Sequence, residues 1–132
     1  MITPEKIHSV LLIDDDNATN FVNSKLFESL DIAEKIIVKD DARDAVEYIK
    51  NCISSGEQVP QLIVLDIHMP ELDGEHFLGI LNKLNLPDKE KVKIVILSDS
   101  THPTHKRIFY DLDVQYYINK PLDKEKLYNI LR

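Results

Sequence analysis

Tryptophan is absent from the 132-residue sequence, which has three glycines, one cysteine and no long hydrophobic run. The single cysteine, Cys52, cannot form an internal disulfide, and its place in a helical pattern favours a small core residue. No apolar stretch approaches the roughly 20 residues that a membrane-spanning helix needs. Residues 1–9 lack the character of a signal peptide. These absences predict a soluble, cytoplasmic protein.

The sequence has fewer basic than acidic residues. It contains 16 Lys and Arg and 23 Asp and Glu, which gives a formal net charge of -7. Such a chain repels phosphate groups overall, so we expect no binding to nucleic acid. A cation or a basic partner would suit this charge. The chain is 43% hydrophobic and 30% charged, which predicts a single folded domain over residues 1–132, without an output domain.

Five apolar runs alternate with amphipathic segments along the chain. We predict strands at residues 10–13, 33–38, 62–65, 92–97 and 114–118. Charges among the apolar residues of the second run indicate an edge strand. The alternation predicts an α/β fold, with a five-stranded parallel sheet and helices on both faces.

Helical spacing and capping residues define the segments between the strands. Asp16 or Asn17 would cap the first helix, and Asp40-Asp41 would cap the second. A third helix would follow Asp73-Gly74, a weaker fourth would begin near Pro103, and the last would begin at Asp123. In the first helix, one apolar face is predicted from Phe21, Val22, Leu26 and Leu30; in the second, the inward residues are predicted to be Ala42, Ala45, Val46, Ile49 and Ile53.

Residues whose side chains could bind a ligand or take part in a reaction follow four of the predicted strands. The carboxyl ends of parallel strands lie at one edge of a sheet. Taken singly, each has an ordinary structural explanation as a cap, a turn residue or a surface side chain. Their coincidence at four strand ends favours a functional site. They are Asp14, Asp15 and Asp16 after the first strand, Asp66 after the third, Ser98 after the fourth and Lys120 after the fifth.

Converging carboxylates repel one another, and a hard divalent cation removes that repulsion. Because the cluster offers oxygen ligands and only His68 as a nearby histidine, it favours Mg²⁺ or Mn²⁺ over Zn²⁺. The metal would bind Asp14, Asp15 and Asp66. A carboxylate can also accept a phosphoryl group, whose oxygens need cationic and hydroxyl donors. Asp66 is the best acceptor, with Lys120 and Ser98 as the donors.

Four motifs carry a family resemblance: residues 12–16, residues 65–74, residues 96–98 and Lys120-Pro121. With them, residues 9–131 resemble the receiver domain of bacterial two-component response regulators, of the chemotaxis-regulator type. The resemblance implies a flavodoxin-like, doubly wound (βα)5 fold with strand order 2-1-3-4-5. It also makes the Lys120-Pro121 peptide bond a candidate for the cis form, which the sequence alone leaves open.

The resemblance further implies a role for each site residue. Asp66 would be the phosphoacceptor, Asp15 a direct metal ligand and Asp14 a ligand mainly through water. The backbone carbonyl of His68 would complete the metal site. Ser98 and Lys120 would stabilise the phosphoryl group, and Tyr117 would be the aromatic residue that moves on activation. His68, Asp99 and Ser100 lie at positions that tune the phosphoryl lifetime, and Asp99 departs from the small residue usual there.

The implied function is a phosphorylation-dependent signalling switch rather than an enzyme, although the domain assists its own phosphotransfer and dephosphorylation. A histidine kinase or histidine phosphotransfer protein would donate the phosphoryl group. A downstream protein would bind the face formed by the fourth helix, the fifth strand and the last helix, and a homodimer is also allowed.

Three alternatives are weighed against this function. A haloacid-dehalogenase-type phosphatase would need an Asp-x-Asp-x-Thr motif, but Ala18 stands where the Thr belongs. A flavodoxin-like binding module would need a phosphate-binding loop after the first strand, where Asp14–Asp16 would repel phosphate. A degenerate receiver that acts by binding alone remains open because of Asp99.

Overall fold

Each predicted strand forms on its apolar run in the computed structural model, which describes residues 4–66, 74–84, 86–87, 89–98, 114 and 116–131. The predicted fourth helix lies outside these residues. A short 3-10 turn, Lys89–Lys91, precedes the fourth strand. The remaining elements are β1 Ile7–Ile13, α1 Asn17–Leu30, β2 Ala33–Lys39, α2 Ala42–Ser55, β3 Leu62–Asp66, α3 Gly74–Lys83, β4 Lys93–Ser98, β5 Tyr116–Asn119 and a C-terminal helix Lys124–Leu131.

The five strands form one parallel sheet in the order β2-β1-β3-β4-β5. The prediction of a doubly wound α/β fold with this order is therefore confirmed. β2 lies at the edge, as its interspersed charges indicate. All five residues of β3 are buried, because a central strand covered on both faces has no polar alternation.

Helices cover both faces of the sheet, and each face has its own hydrophobic core. Successive side chains of a strand point to opposite faces, so Leu11 and Ile13 pack with α2 and α3. Val10 and Leu12 pack on the other face with α1 and the C-terminal helix. Cys52 is buried on the inner side of α2, as predicted for a small core residue.

The predicted apolar face of α1 is wrong in part. Phe21 and Val22 are 63% and 62% exposed, whereas the buried residues of the helix are Asn20, Asn23 and Phe27. Hydrophobic spacing alone mispredicts the rotation of the helix, because Asn20 donates a hydrogen bond to the backbone of Asp14 and so turns its own side inward. Leu26 and Leu30 are partly buried beside Phe27.

The helix ends follow the capping rules more closely. Asp16 caps α1 and Asp41 caps α2, each accepting a hydrogen bond from a backbone amide two residues later. Gly56 ends α2 with a φ of 77°, a conformation in which glycine avoids the strain of a side chain. Within α2, Cys52 rather than Ile53 is fully buried, and Ile53 packs at the border of the core.

Two strand boundaries also differ from prediction. β5 begins at Tyr116 rather than residue 114, and β4 extends to Ser98, which pairs with Asn119. This pairing brings Ser98 into the sheet next to the residue that precedes Lys120. None of the helices in the described parts of the chain is of the length and apolarity that crossing a membrane requires.

Candidate functional site

The strand order places the candidate site between β1 and β3. The chain leaves β1 for β2 on one side and returns to β3 on the other, so a crevice opens at the carboxyl ends of these two strands. Asp14 follows β1 directly, and Asp66 is the last residue of β3. The fold thus delivers both carboxylates to the crevice.

Three carboxylates meet there. One oxygen each from Asp14, Asp15 and Asp66 lies within 4.8 Å of the others. Asp14 and Asp66 are only 3% and 6% exposed, whereas Asp15 faces solvent. The predicted acidic cluster is therefore brought together, with two buried members and one at the rim.

The environment of Asp14 disfavours its charged form. Burial raises the pKa of the Asp14 carboxyl to about 6 and the nearby charge of Asp66 adds to the increase, while the hydrogen bond from the backbone amide of Asp16 opposes it. That amide lies 2.9 Å from Asp14 Oδ1. A cation that neutralises the cluster stabilises the ionised form of such a buried carboxylate.

Asp16 has a separate, local role. Its carboxylate accepts hydrogen bonds from the Thr19 hydroxyl and the Ala18 amide, which lower the pKa of Asp16. These contacts make Asp16 the cap of α1, and Asp16 is not among the three clustered carboxylates.

Lys120 brings positive charge to the buried carboxylates. Its Nζ lies 3.3 Å from Asp66 Oδ1 and 3.7 Å from Asp14 Oδ2. The Lys120-Pro121 peptide bond, for which the sequence left the isomer open, is cis. The Lys120 amide donates a 2.9 Å hydrogen bond to the Ser98 carbonyl, which ties the lysine to the end of β4.

Ser98 is fully buried at the end of β4, one residue beyond Leu97, which pairs with Asp66. Tyr117 lies further along β5 and packs on the side of the sheet covered by α2 and α3. Tyr116 packs on the opposite side, with the C-terminal helix. The two tyrosines are thereby distinguished by face, which the sequence pattern left open.

Three other predicted site residues, His68, Asp99 and Ser100, lie outside the described part of the chain. The carbonyl ligand and the rim positions assigned to them therefore stay predictions.

The donor set fits a hard divalent cation. All three side chains offer carboxylate oxygens, and one or two carboxylates with bound water are the usual protein ligands of Mg²⁺. The burial of Asp14 and Asp66 beside each other leaves negative charge that Lys120 alone does not balance. A Mg²⁺ or Mn²⁺ ion held by the cluster would supply the missing charge.

Sequence reasoning missed Asn20, whose side-chain amide contacts the backbone of the acidic loop. It also predicted Phe21 and Val22 as buried, although both are exposed and Val22 lines a cavity beside Lys120. A polar residue six positions after Asp14, on the same helical side as the buried Phe27, was the available signal.

Comparison with known proteins decides the family. The family model of the response regulator receiver domain matches residues 10–132. The chain belongs to this family. Receiver domains serve two-component and phosphorelay signalling and bind Mg²⁺ or Mn²⁺ at an acidic aspartate cluster.

Among solved receiver domains, a two-component response regulator from Cytophaga hutchinsonii is similar to this one, with a TM-score of 0.86 and 31% identity over 96% of this chain and 95% of that chain. The probable methanogenesis regulatory protein FilR2 of Methanothrix harundinacea is 28% identical over 89% of this chain and 75% of its own length. Response regulator Rcp1 of Synechocystis is 26% identical over 98% of this chain and 86% of its own length. A structure of the Mn²⁺-bound form of response regulator Rcp1 has a TM-score of 0.67 and 23% identity over 94% of this chain and 88% of that chain.

Proposed function

We propose that this receiver domain is a phosphorylation-dependent switch in which Asp66 accepts a phosphoryl group in a Mg²⁺-dependent reaction. A histidine kinase or a histidine phosphotransfer protein is the donor. The contact that carries the proposal is the 3.3 Å approach of Lys120 Nζ to Asp66 Oδ1, beside two further carboxylates. This arrangement offers an acceptor, a metal site and a phosphoryl-stabilising cation within one crevice.

Asp66 suits the role of acceptor better than its neighbours. It ends the central strand β3, with Asp14 and Asp15 directly after β1 on one side and Ser98 at the end of β4 on the other. Asp14 is fixed by hydrogen bonds to both its carboxylate and its carbonyl, which suits a ligand more than a nucleophile. Asp15 is exposed at the rim, where it would contact the metal.

In the proposed reaction, an oxygen of Asp66 attacks the phosphorus atom of the donor phosphohistidine. The new O–P bond forms as the P–N bond breaks, and the imidazole leaves with the bonding electron pair. Asp14, Asp15 and Asp66 would hold the metal ion, which would supply positive charge to the phosphoryl oxygens when bound. Lys120, which contacts Asp66 in the described structure, turns its ammonium to the transferred group, and the Ser98 hydroxyl donates to another oxygen.

The output follows from the connection between Ser98 and Lys120. A phosphate monoester carries a charge of about -1.5 to -2, and the aspartyl phosphate carries a similar charge. This charge attracts the Ser98 hydroxyl and the Lys120 ammonium. Because the Lys120 amide is bonded to the Ser98 carbonyl, their movement reaches β4 and β5 together. The shift alters the face formed by β5, the C-terminal helix and the predicted fourth helix, where Tyr117 moves and a downstream protein binds.

An exposed apolar pair near the site supports a protein as the donor. Phe21 and Val22 are mostly exposed on α1. Val22 also lines a cavity of about 320 Å³ whose other walls include Lys120 and Pro121. Large exposed apolar side chains at the rim of a reactive crevice suit contact with a protein surface.

The remaining assignments are part of the same proposal. The domain acts in the cytoplasm, without a nucleic-acid or membrane partner, and a homodimer is a further partner. It assists its own phosphotransfer and dephosphorylation but turns over no separate substrate. His68 contributes a carbonyl ligand, and His68, Asp99 and Ser100 set the lifetime of the phosphoryl group.

Labelling with acetyl phosphate tests the reaction. The wild-type protein is expected to gain one phosphoryl group in the presence of Mg²⁺, and Asp66→Asn is expected to gain none. Asp41→Asn is the matched control, because it removes one charge at the same edge of the sheet and asparagine retains the cap of α2. Labelling of Asp66→Asn at the wild-type rate would show that the acceptor lies elsewhere.

A further inference from the structure

We propose that Asn20 is a positioning residue that holds the acidic loop, residues 14–16, in its metal-binding conformation. The inference rests on the proposed function, since it assumes that Asp14 and Asp15 bind a divalent cation. Asn20 itself contributes no atom to the three-carboxylate cluster and acts through the loop.

The side chain of Asn20 reaches back to the first residue of the loop. Its Nδ2 donates a 2.7 Å hydrogen bond to the backbone carbonyl of Asp14, and the residue is 96% buried, with a relative exposure of 4%. The paired residues of β1 end at Ile13, so this carbonyl lies beyond the ladder and needs a donor from elsewhere. Because a carbonyl only accepts hydrogen bonds, the amide nitrogen must face it.

Asn20 also holds the other end of the loop. Its backbone amide donates a 3.1 Å hydrogen bond to the carbonyl of Asp16. The Asp16 amide in turn binds Asp14 Oδ1 at 2.9 Å. Asn20 therefore joins both residues that flank Asp15, one through its side chain and the other through its backbone.

Asp15 depends on this arrangement more than its neighbours do. Within the described part of the chain, no hydrogen bond or ion pair holds the exposed Asp15 carboxylate, whereas Asp14 and Asp16 each have such contacts. The position of the Asp15 carboxylate is therefore set by the backbone on either side of it. A looser loop would leave this ligand poorly placed.

Packing alone does not explain an asparagine at this position. Asparagine is a weak helix former, and a buried amide is costly unless it is hydrogen-bonded. The Oδ1 atom of Asn20 is buried and accepts no hydrogen bond from the residues that the structure describes. One end of the amide is thus left unsatisfied while the other binds Asp14, which points to the loop contact as the reason for the residue.

Loss of a residue that orients a metal ligand typically weakens metal binding roughly 10–100-fold. We therefore expect Asn20→Leu, which keeps the size but removes the donor, to weaken Mn²⁺ binding by about tenfold or more. Asn23→Leu is the matched control. Asn23 is also buried on α1, and no hydrogen bond among the described residues links its side chain to the acidic loop.

The experiment measures free Mn²⁺ by electron paramagnetic resonance during titration of the wild-type chain and both variants. Far-ultraviolet circular dichroism confirms that each protein is folded at the temperature used. Asn20→Ala is measured as well, so that a folding failure of the leucine variant does not end the test.

Weaker binding by the Asn20 variants alone would support the inference. Wild-type affinity in Asn20→Leu or Asn20→Ala would overturn it and leave the proposed function standing, because the wild-type protein still binds the metal. Equal weakening in Asn23→Leu would also overturn it, because the effect would then reflect general repacking of α1. Absence of Mn²⁺ binding by the wild type would contradict the proposed function as well as the inference.

Discussion

Asp14→Asn is expected to stabilise the metal-free protein at neutral pH, although it removes a proposed metal ligand. The Asp14 pKa is about 6 in the folded state against an ordinary value of 3.8. Each unit of difference corresponds to about 1.4 kcal/mol, so the ionised side chain costs the fold up to about 3 kcal/mol at pH 7 and above. Asparagine retains an oxygen that can accept the Asp16 amide hydrogen bond and carries no charge.

The two pKa values determine how the effect of Asp14 on folding stability changes with pH. Above pH 6 the carboxyl is ionised in both states, and the folded state bears the full cost. As the pH falls through 6 towards 4, the folded protein takes up a proton before the unfolded chain does, and the cost disappears. The contribution of Asp14 to wild-type stability therefore improves on acidification across this window.

Urea unfolding in EDTA measures the effect. The free energy of unfolding of Asp14→Asn should exceed that of the wild type at pH 7.5 by about 1 to 3 kcal/mol, and the difference should shrink as the pH approaches 4. Carboxylates away from the cluster titrate alike in both proteins, so the difference reports position 14 together with its interaction with Asp66. Asp41→Asn serves as the control for removing one charge.

Saturating Mg²⁺ should reduce or cancel the advantage of the variant over the wild type. A ligand at 100 times its dissociation constant stabilises the folded state by about 2.7 kcal/mol, and the variant binds the metal less tightly. A metal-free variant that is less stable than the wild type at pH 7.5, or a difference that does not depend on pH, would refute the assigned burial and charge of Asp14.

Three further predictions follow from the packing of α1 and the end of β4. Phe21→Glu should slow phosphotransfer from a phosphorylated histidine kinase but leave labelling by acetyl phosphate unchanged, because Phe21 is 63% exposed outside the reacting cluster; equal slowing of both reactions would contradict a docking role. Phe27→Ala should destabilise the protein by about 3–5 kcal/mol in urea unfolding, because Phe27 is fully buried; a loss below about 1 kcal/mol would contradict its core position. Ser98→Ala should still be labelled at Asp66 but should lose phosphorylation-dependent change in the nuclear magnetic resonance signals of β5, and retention of that change would exclude Ser98 from the switch.

The sequence predicts the fold well because the central strands are unbroken apolar runs. β3 has no polar alternation and is buried throughout, and the charged residues of β2 correctly indicate an edge. In a parallel sheet the carboxyl ends of the strands lie at one edge, and Asp14, Asp66 and Ser98 all lie at such ends. Their convergence at that edge therefore follows from the parallel arrangement, whereas the strand order came from the family resemblance.

The orientation of α1 could not be predicted in the same way. Spacing of apolar residues suggests that Phe21 and Val22 face inward, but a buried hydrogen bond from Asn20 to Asp14 turns the helix otherwise. That bond depends on where the chain leaves β1, which hydropathy does not encode. The separation of Tyr116 from Tyr117 likewise required the register of β5 against β4.

Several features of the site could not be predicted from the sequence. The ion pairs of Lys120 with Asp14 and Asp66 depend on where the end of β5 lies relative to β1 and β3, which does not follow from spacing. The raised pKa of Asp14 depends on its burial next to Asp66. Composition indicated an acidic protein suited to a cation, but only the three-dimensional placement distinguishes the buried Asp14 and Asp66 from the exposed Asp15.

Chemical mapping of the phosphorylated residue tests the central claim most directly. The wild-type protein is phosphorylated by its histidine kinase in Mg²⁺, the acyl phosphate is reduced with borohydride, and the modified residue is located by peptide mass spectrometry. The account predicts homoserine at position 66 and unmodified aspartate at positions 14 and 15. Homoserine at position 14 or 15 instead, or a phosphorylated protein with no reducible acyl phosphate, would contradict it.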